Sequence, residues 1–422
     1  MTKQALPSVS VCQDLRNAVQ ELGKRIHPLW HRIHTNPETG YQEHLASALL
    51  GDWLGEHGFT VQRGVADMPT AFFAKSGVFS PDDGRCIFMA EYDALPEIGH
   101  ACGHSLSGVA SALAATALAR CGAPGEIQVV GTPAEESVVP DAGGKLRCLK
   151  AGLFDHADAA LMAHAANRDI LRVPVLARAV LNAQWQGVAA HAGAAPHEGR
   201  NALNAAILGL NACNALYQQL KDGCRMNAIL TSGGTLVNTI PEHAAASLQI
   251  RAPSRALLNE FIERVRAALT SGGQATGCET HVAFGSPPVA DLRFSEPLLE
   301  TYAAALRHAG VAYLSEAPAM PISTDAGDVS YALPCIHPFF SVGCGATVPL
   351  HSRHFAEACA TDAAFASMLE AATALAVTGY AVLADASLRL RMAAFHADHV
   401  REPQAAIHGQ PPLHHKEENN GC

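Results

Sequence analysis

Hydrophobic residues recur along the first part of the chain with the spacing of amphipathic helices. Steps of three and four residues occur on Leu15, Val19, Leu22 and Ile26, and again on Leu45, Leu49 and Trp53. Each stripe predicts a helix with one buried face. We expect Pro28 to kink the first helix and Gly58 to end the second. A third helix is predicted over His104–Arg120, which is rich in alanine and leucine.

Short apolar runs alternate with these helices and have the length of buried strands. They are Ala71–Ala74, Cys86–Ala90, Ile127–Gly131 and Ala159–Ala163. Fully apolar strands that alternate with helices are typical of a sheet covered on both faces. The pattern therefore predicts an α/β fold with a mostly parallel sheet flanked by helices.

The pattern changes near residue 179, where apolar and polar residues begin to alternate. Leu181, Ala183 and Trp185 alternate with polar neighbours as in a half-exposed strand, and Pro287 and Pro288 mark the expected end of this region. Two helices and about four strands are expected in it, which predicts a compact α+β domain with one open sheet face. We therefore predict one domain, residues 1–178 and 289–400, into which a second domain, residues 179–288, is inserted. Residues 401–422 read as a disordered tail.

Composition and charge exclude several classes of protein. Hydrophobic residues make up 49% of the chain and charged residues 16%, which excludes a disordered chain or a coiled coil. The net charge of −10 argues against a nucleic-acid partner, and the apolar runs are too short to span a membrane. Met1–Ser10 lacks the apolar stretch of a secretory signal, so a cytoplasmic protein with reduced cysteines is expected.

Acidic residues and a histidine follow three of the predicted strands. They are Glu91 and Asp93, Glu135 and Glu136, and His164, which we expect to close its strand. Because ligands gather at the carboxyl ends of strands in open α/β sheets, these side chains are candidates for one site.

Two further segments offer metal ligands. Cys102 and His104 reach one ion if the chain turns at Gly103, and His351 lies in a glycine-rich loop. Each group alone also fits a plain explanation, such as a buried cysteine, a core histidine or a solvated pair of glutamates. Together they form a mixed nitrogen, sulfur and oxygen donor set, which suits zinc, and manganese or cobalt if carboxylates dominate. One carboxylate of the glutamate pair can ligate metal while Glu135 serves as general base.

Seven short segments, taken together, resemble a known family. They are Glu91–Pro96, His100–His104, Thr132–Glu136, Ala190–Gly193, Gly199–Ala202, Ser323–Asp325 and Leu350–Ser352. The same strings occur in the same order in the aminoacylase and carboxypeptidase-G-like metallopeptidases. The most similar branch comprises amidohydrolases such as the p-aminobenzoyl-glutamate, hippurate and indoleacetyl-amino-acid hydrolases. The resemblance covers about residues 15–385.

The resemblance implies a zinc-exopeptidase-like catalytic domain with a two-metal site and an inserted lid or dimerisation domain. It implies one or two divalent ions per chain, zinc or manganese, and a homodimer or higher homo-oligomer formed through the insert. The implied metal ligands are Cys102, His104, Glu136, His164 and His351.

The resemblance also implies roles for the residues around the metal. Glu135 is the implied general base, and Asp93 orients the site. His191, in the insert, resembles the histidine that stabilises the developing oxyanion, commonly from the partner subunit. Asn238 and Arg251 resemble groups that grip the substrate carboxylate, a task that suits a guanidinium.

The chain departs from the family pattern around the pocket. Ser105 replaces an expected Asp or Asn, Ser137–Ala142 looks like a short insertion, and His197 and His354 stand where histidine is unusual. The leading hypothesis is a metal-dependent hydrolase that cleaves the amide of an N-acyl or N-aroyl amino acid. One alternative is hydrolytic deamination of an aromatic amine that bears a carboxylate, as in nitroanthranilate aminohydrolase. A metal-binding protein without catalysis is the alternative from another class.

Overall fold

The computed structural model describes residues 6–77, 80, 83–136, 138–317 and 322–399. Its helices are α1 Val9–Thr35, α2 His44–Glu56, α3 His104–Arg120, α4 Gly144–Lys150, α5 Ala202–Ala215, α6 Arg255–Thr276, α7 Glu296–His308, α8 Ala326–Ala332, α9 Arg353–Cys359, α10 Asp362–Ala384 and α11 Ala386–His399. Its strands are β1 Thr60–Arg63, β2 Phe72–Ser76, β3 Arg85–Glu91, β4 Glu126–Thr132, β5 Ala159–Leu161, β6 His164–Ala166, β7 Ile170–Arg172, β8 Ala177–Gln186, β9 Ala190–His191, β10 Arg225–Ser232, β11 Thr239–Ile240, β12 His243–Ala252, β13 Glu279–Val289, β14 Leu314–Glu316, β15 Cys335–Ile336 and β16 Phe339–Ser341. The predicted tail, residues 401–422, and Ser137 of the predicted insertion lie outside the described residues.

A six-stranded sheet in the order β1-β2-β4-β3-β5-β15 forms the centre of the larger part. Strand β3 pairs in parallel with β4 and β5, and β15 pairs in parallel with β5. Only β1 and β2 add antiparallel pairs, at one edge. The mostly parallel sheet predicted from the apolar runs is confirmed.

Helices cover both faces of this sheet, as strand β3 shows. Its residues Cys86 and Phe88 pack against helices α1, α3 and α10 on one face, whereas Ile87 and Met89 pack against α4 and α8 on the other. Because both faces are buried, the strand is apolar at every position rather than at every second one. By length and composition α10 could cross a membrane, but 72% of its apolar window is buried inside the protein.

Helix α1 continues through Pro28, the residue at which a kink was expected. It runs from Val9 to Thr35, and the side chain of Ser8 caps its first turn by accepting a hydrogen bond from the backbone N–H of Val11. The buried residues follow the predicted stripe and continue beyond the proline to Trp30. Packing of this face against α3 and α10 therefore supports the helix through a residue that removes one of its hydrogen bonds.

A second core lies on an antiparallel four-stranded sheet, in the order β10-β12-β8-β13. Along β8, Leu181, Ala183 and Trp185 are buried while Asn182 and Gln184 are exposed, as the alternation predicts. Helices α5 and α6 cover the buried face.

A third sheet, in the order β14-β7-β16-β6, was not predicted, because its strands have only three residues each. The prediction that His164 closes the strand of residues 159–163 is wrong. The strand ends at Leu161, and His164 begins the separate strand β6, where it pairs with Phe339.

Candidate active site

The ends of two parallel strands deliver the acidic side chains of the site. Strand β3 ends at Glu91, so that Asp93 lies two residues past its end, and β4 leads into Glu135 and Glu136. The two strands pair in parallel up to Glu91 and Thr132, and their carboxyl ends therefore meet at one edge of the sheet. This is the position at which ligands bind in open α/β sheets.

A buried carboxylate holds the loop that carries the glutamate pair. Ala134 has a φ of 53°, and its backbone N–H donates a 2.8 Å hydrogen bond to Oε1 of Glu43. The other oxygen of Glu43 accepts a 2.8 Å bond from the hydroxyl of Thr70. This support fixes an unusual backbone conformation immediately before Glu135.

Gly103 makes the turn that brings Cys102 and His104 to the same point. Its φ is 84°, and a Cβ at this position would lie 2.5 Å from Cβ of Ala165. Both the conformation and the close approach require glycine. The turn also begins helix α3 at His104, as the sequence predicted.

Asp93 connects the two halves of the site. Its Oδ1 lies 2.8 Å from Nδ1 of His104, and its Oδ2 accepts a 2.9 Å hydrogen bond from the backbone N–H of Glu136. If Nδ1 of His104 carries the ring proton, Nε2 is left with a lone pair that faces the site. Ser105, which stands where the family pattern has Asp or Asn, contacts Nδ1 of His34 at 3.1 Å.

His164 and His351 complete the cluster from two distant segments. Nδ1 of His164 lies 2.7 Å from the carbonyl oxygen of Ala165, so Nε2 is free to face Cys102, whose Sγ is 3.6 Å away. Burial lowers the pKa of His164 to about 3, which keeps the imidazole neutral and able to ligate. His351 has a φ of 60°, and its Nε2 lies 3.1 Å from Oε1 of Glu136.

The five predicted metal ligands thus lie together in two overlapping groups. Cys102, His104 and His164 form one group, and Cys102, Glu136 and His351 form the other. Within each group the ligand atoms lie within 4.8 Å of one another. Two donors on one tetrahedral ion, with bonds of about 2.1 Å to nitrogen and about 2.3 Å to sulfur, are separated by roughly 3.6 Å, which agrees with the distance between Cys102 and His164.

The buried polar atoms of the cluster also fit a cation. Among the described residues, Nε2 of His104 has no hydrogen-bond partner although it is fully buried. Burial raises the pKa of the Cys102 thiol, so the thiolate that ligates metal requires a positive charge beside it. A divalent ion satisfies both groups, and the chemistry of the donor set suits zinc or manganese.

Glu135 lies beside the two metal groups and has the environment of a general base. Its side chain is 11% exposed, and Oε2 lies 3.8 Å from Nε2 of His104. Burial, followed by the charges of Glu91 and Glu136, raises the pKa of Glu135 well above that of an ordinary carboxyl. A carboxylate with a raised pKa is a stronger proton acceptor.

The predicted residues of the insert lie apart from this cluster. His191 and Asn238 are exposed and adjacent, on strand β9 and just before strand β11, where the carbonyl oxygen of Asn238 accepts a hydrogen bond from the N–H of Ala192. In the part of the chain that the structure describes, no hydrogen bond or ion pair joins them to the five ligands. His197 and His354 are also exposed and do not take part in the metal groups found there.

Of the two arginines that face each other across β8 and β12, the sequence predicted Arg251 and missed Arg178. Arg251 on β12 is directly opposite Arg178 on β8, which is 9% exposed. Burial lowers the pKa of Arg178, while the charges of Glu135 and Asp325 act in the opposite sense. Its place at the start of β8 gave no chemical signal in the sequence.

A buried lysine beside the cluster was also missed. Lys145 is fully buried, and its Nζ contacts carboxylate oxygens of Glu91 and, at 2.6 Å, Asp325. A lone lysine in a polar segment reads as a solvated charge, and nothing local indicates that two acidic partners will enclose it.

This arrangement, a sulfur, nitrogen and oxygen donor set with a carboxylate base at the end of a parallel sheet, defines a metal-dependent hydrolase that acts on C–N bonds. Residues 178–276 match the model of the peptidase dimerisation domain found in the M20 family. The chain is 32% identical to the Xaa-Arg dipeptidase of Homo sapiens over 87% of this chain and 88% of that protein. The chain belongs to the M20 family of metallopeptidases and amidohydrolases, which confirms the resemblance found in the sequence.

Further relatives and solved structures agree with this assignment. The chain is 29% identical to one of the subunits of the p-aminobenzoyl-glutamate hydrolase of Escherichia coli, over 88% of this chain and 92% of that protein. A dinuclear metal binding peptidase of the M20 family from Bacillus subtilis has the same fold, with a TM-score of 0.65 at 17% identity over 86% of this chain and 99% of that one.

Proposed function

We propose that this protein hydrolyses the amide bond of small N-acyl or N-aroyl amino acids, including dipeptides, that carry a free carboxylate. The observation that supports this most directly is the convergence of the ligand atoms of Cys102, His104, Glu136, His164 and His351 beside Glu135. Two relatives, a dipeptidase and a p-aminobenzoyl-glutamate hydrolase, are named for substrates of this class.

The proposed centre holds two divalent ions that share Cys102. This follows from the two overlapping groups of ligand atoms, which have Cys102 in common. When bound, such ions supply Lewis acidity, which polarises the substrate carbonyl and acidifies water. Glu135, at the edge of the cluster, accepts the proton from the attacking water and then donates it to the leaving nitrogen.

The insert supplies the remaining parts of the proposed mechanism. Nδ1 of His191 accepts hydrogen bonds from the backbone N–H groups of Gly193 and Ala194, at 3.2 and 3.1 Å. The ring proton is therefore on Nε2, which faces away from these groups and can donate to an oxyanion. Arg178 and Arg251 place two guanidinium groups opposite each other, where like charges favour an anion between them, and Asn238 adds a polar contact.

Because His191 is apart from the metal groups of its own chain, we propose that it serves the site of a second copy. Strand β10 is at the edge of its sheet and carries Ile229 and Leu230, which are 58% and 45% exposed. No residue of this strand from Ala228 to Ser232 is buried. Because side chains alternate between the two faces of a strand, every second residue would be buried if one face were covered. Pairing of this edge with its copy covers these side chains and forms a homodimer through residues 179–288, which we propose as the inserted domain.

Product analysis of the metal-loaded protein tests the proposed reaction. Hippurate, p-aminobenzoyl-glutamate, dipeptides that end in arginine and anthranilate-type amines are incubated with it, and amine, acid and ammonia are measured. We expect an amine and an acid. Ammonia released from an aryl amine would support deamination instead, and a protein that neither binds zinc or manganese nor turns over any amide would refute the proposal.

Replacement of Glu135 tests the role of the base. Glu135→Gln keeps the shape of the side chain but removes the proton acceptor, and we expect turnover to fall by roughly 100- to 10,000-fold with unchanged metal content. Glu357→Gln, on the surface helix α9, is the control and should retain full turnover. Survival of turnover in the first variant would exclude Glu135 as the base.

A further inference from the structure

We infer that Glu91 is an additional metal ligand and that Lys145 holds its carboxylate in place for that task. The inference rests on the metal centre proposed above and extends it by one side chain from outside the predicted ligand set. It assigns Glu91 to the ion held by Cys102, His104 and His164.

The charges around Lys145 do not balance. Glu91 and Lys145 have no exposed surface, and Asp325 is 2% exposed. One ammonium group therefore faces two carboxylates in a region closed to water. A buried charge without compensation is costly, so the remaining negative charge requires a cation in contact with it.

The two carboxylates differ in how many of their oxygens accept a hydrogen bond from Lys145. Asp325 uses both on Lys145: Oδ1 accepts a 2.6 Å bond from Nζ, and Oδ2 accepts a 2.9 Å bond from the backbone N–H. Glu91 uses only Oε1, which also accepts from Nζ. Its Oε2 is buried and has no hydrogen-bond partner among the described residues. The unsatisfied atom therefore belongs to Glu91.

The unsatisfied oxygen of Glu91 lies close to two of the proposed metal-ligating histidines. Oε2 of Glu91 lies 3.4 Å from Nε2 of His104 and 3.8 Å from Nε2 of His164. Both imidazoles have an acceptor beside Nδ1, which leaves their Nε2 atoms with lone pairs. With the ring protons on Nδ1, the lone pairs of Oε2 and of the two Nε2 atoms converge with no proton between them. Donors on one tetrahedral ion with bonds of about 2.1 Å are separated by roughly 3.4 Å, so a shared ion accounts for the spacing.

A purely electrostatic role for Glu91, as a counter-charge to Lys145, is the competing explanation. The two explanations differ in what they require. A counter-charge acts through its charge alone, so Asp325 should be equivalent to Glu91. A ligand also needs its oxygen at the correct distance from the ion, so shortening the side chain should be as harmful as removing the charge.

Three variants of the full-length protein separate these explanations. Glu91→Gln replaces one carboxylate oxygen by an amide nitrogen and removes the charge, whereas Glu91→Asp keeps the charge but draws the carboxylate back by one methylene. Asp325→Asn removes an equal charge on the other side of Lys145. The affinity for Zn²⁺ is measured by competition with a chelating indicator, and the ions per chain are counted by elemental analysis. X-ray absorption at the zinc edge of the wild-type protein gives the numbers of oxygen, nitrogen and sulfur neighbours.

We expect both Glu91 variants to bind one of the two ions at least tenfold more weakly, and Asp325→Asn to remain within about threefold of wild type. Averaged over two zinc ions, the wild-type absorption spectrum should require about half an oxygen or nitrogen neighbour more per ion than the Glu91→Asp spectrum. Equal effects of Glu91→Gln and Asp325→Asn, or full metal binding by Glu91→Asp, would overturn the inference while leaving the proposed function intact. A wild-type protein that binds no zinc would instead refute the metal centre itself. If the Gln variant does not fold, the spectra of wild type and Glu91→Asp decide the question.

Discussion

Replacement of Asp93 by asparagine should weaken metal binding without removing any ligand. The carboxylate accepts from His104 through one oxygen and from the N–H of Glu136 through the other. Asparagine has a single acceptor oxygen, so its amide N–H₂ must face either the ring N–H or the backbone N–H. One charge-assisted hydrogen bond is then lost, which costs about 1.5–3 kcal/mol. At about 1.4 kcal/mol for each factor of ten, the affinity for metal should fall by roughly tenfold to hundredfold.

Competition between the protein and a chelating indicator, at fixed pH and ionic strength, measures this change for Zn²⁺ or Mn²⁺. Asp158→Asn is the matched control, because Asp158 also accepts from a backbone N–H, that of Arg85, at the opposite end of the same strand. We expect the control to bind metal like the wild type. A dissociation constant for Asp93→Asn within threefold of wild type would show that His104 and Glu136 are held by other contacts and would refute this reasoning.

Two further perturbations test the pH dependence of folding and the assembly. Glu43 is fully buried, and burial raises its pKa to about 7 from an ordinary 4.5, so the folded state retains its proton where the unfolded state loses it. The free energy of unfolding should therefore fall by about 3 kcal/mol as the pH rises from about 4.5 to about 7. Urea unfolding of metal-free Glu43→Gln should lack this part of the pH dependence. An unchanged pH dependence in that variant would contradict the raised pKa of Glu43. Leu230→Arg, on the exposed edge strand, should convert the dimer into a monomer in sedimentation experiments, whereas Leu390→Arg, at a leucine that is 73% exposed on α11, should not. Equal masses for both variants would place the interface elsewhere.

Much of the site was predictable because each ligand is accompanied by a local signal. Cys102 and His104 flank the glycine that makes their turn, and Glu135 and Glu136 follow an apolar strand. Such signals lie within a few residues, and periodicity and glycine positions suffice to detect them. The alternation of buried and exposed residues along β8 was predictable for the same reason.

The parts that could not be predicted depend on residues that are distant in the chain. Lys145 acquires its meaning only through Glu91 and Asp325, and the opposition of Arg178 and Arg251 depends on the register of two strands. The strand that begins at His164 is stabilised by pairing with Phe339 rather than by its own three residues. Tertiary contacts of this kind override local propensity and leave no periodic pattern in the sequence.

The contact between Lys145 and Asp325 joins residues that are 180 positions apart, and the whole second core is encoded between them. At about 5–20 residues per second, a ribosome needs on the order of 10–40 s to pass from one to the other. During that interval the nascent chain already contains Cys102 and His104 but has neither Asp325 nor His351. The complete set of ligands therefore cannot close around an ion before the second core has been synthesised, so the insert is available to fold before the site that it interrupts.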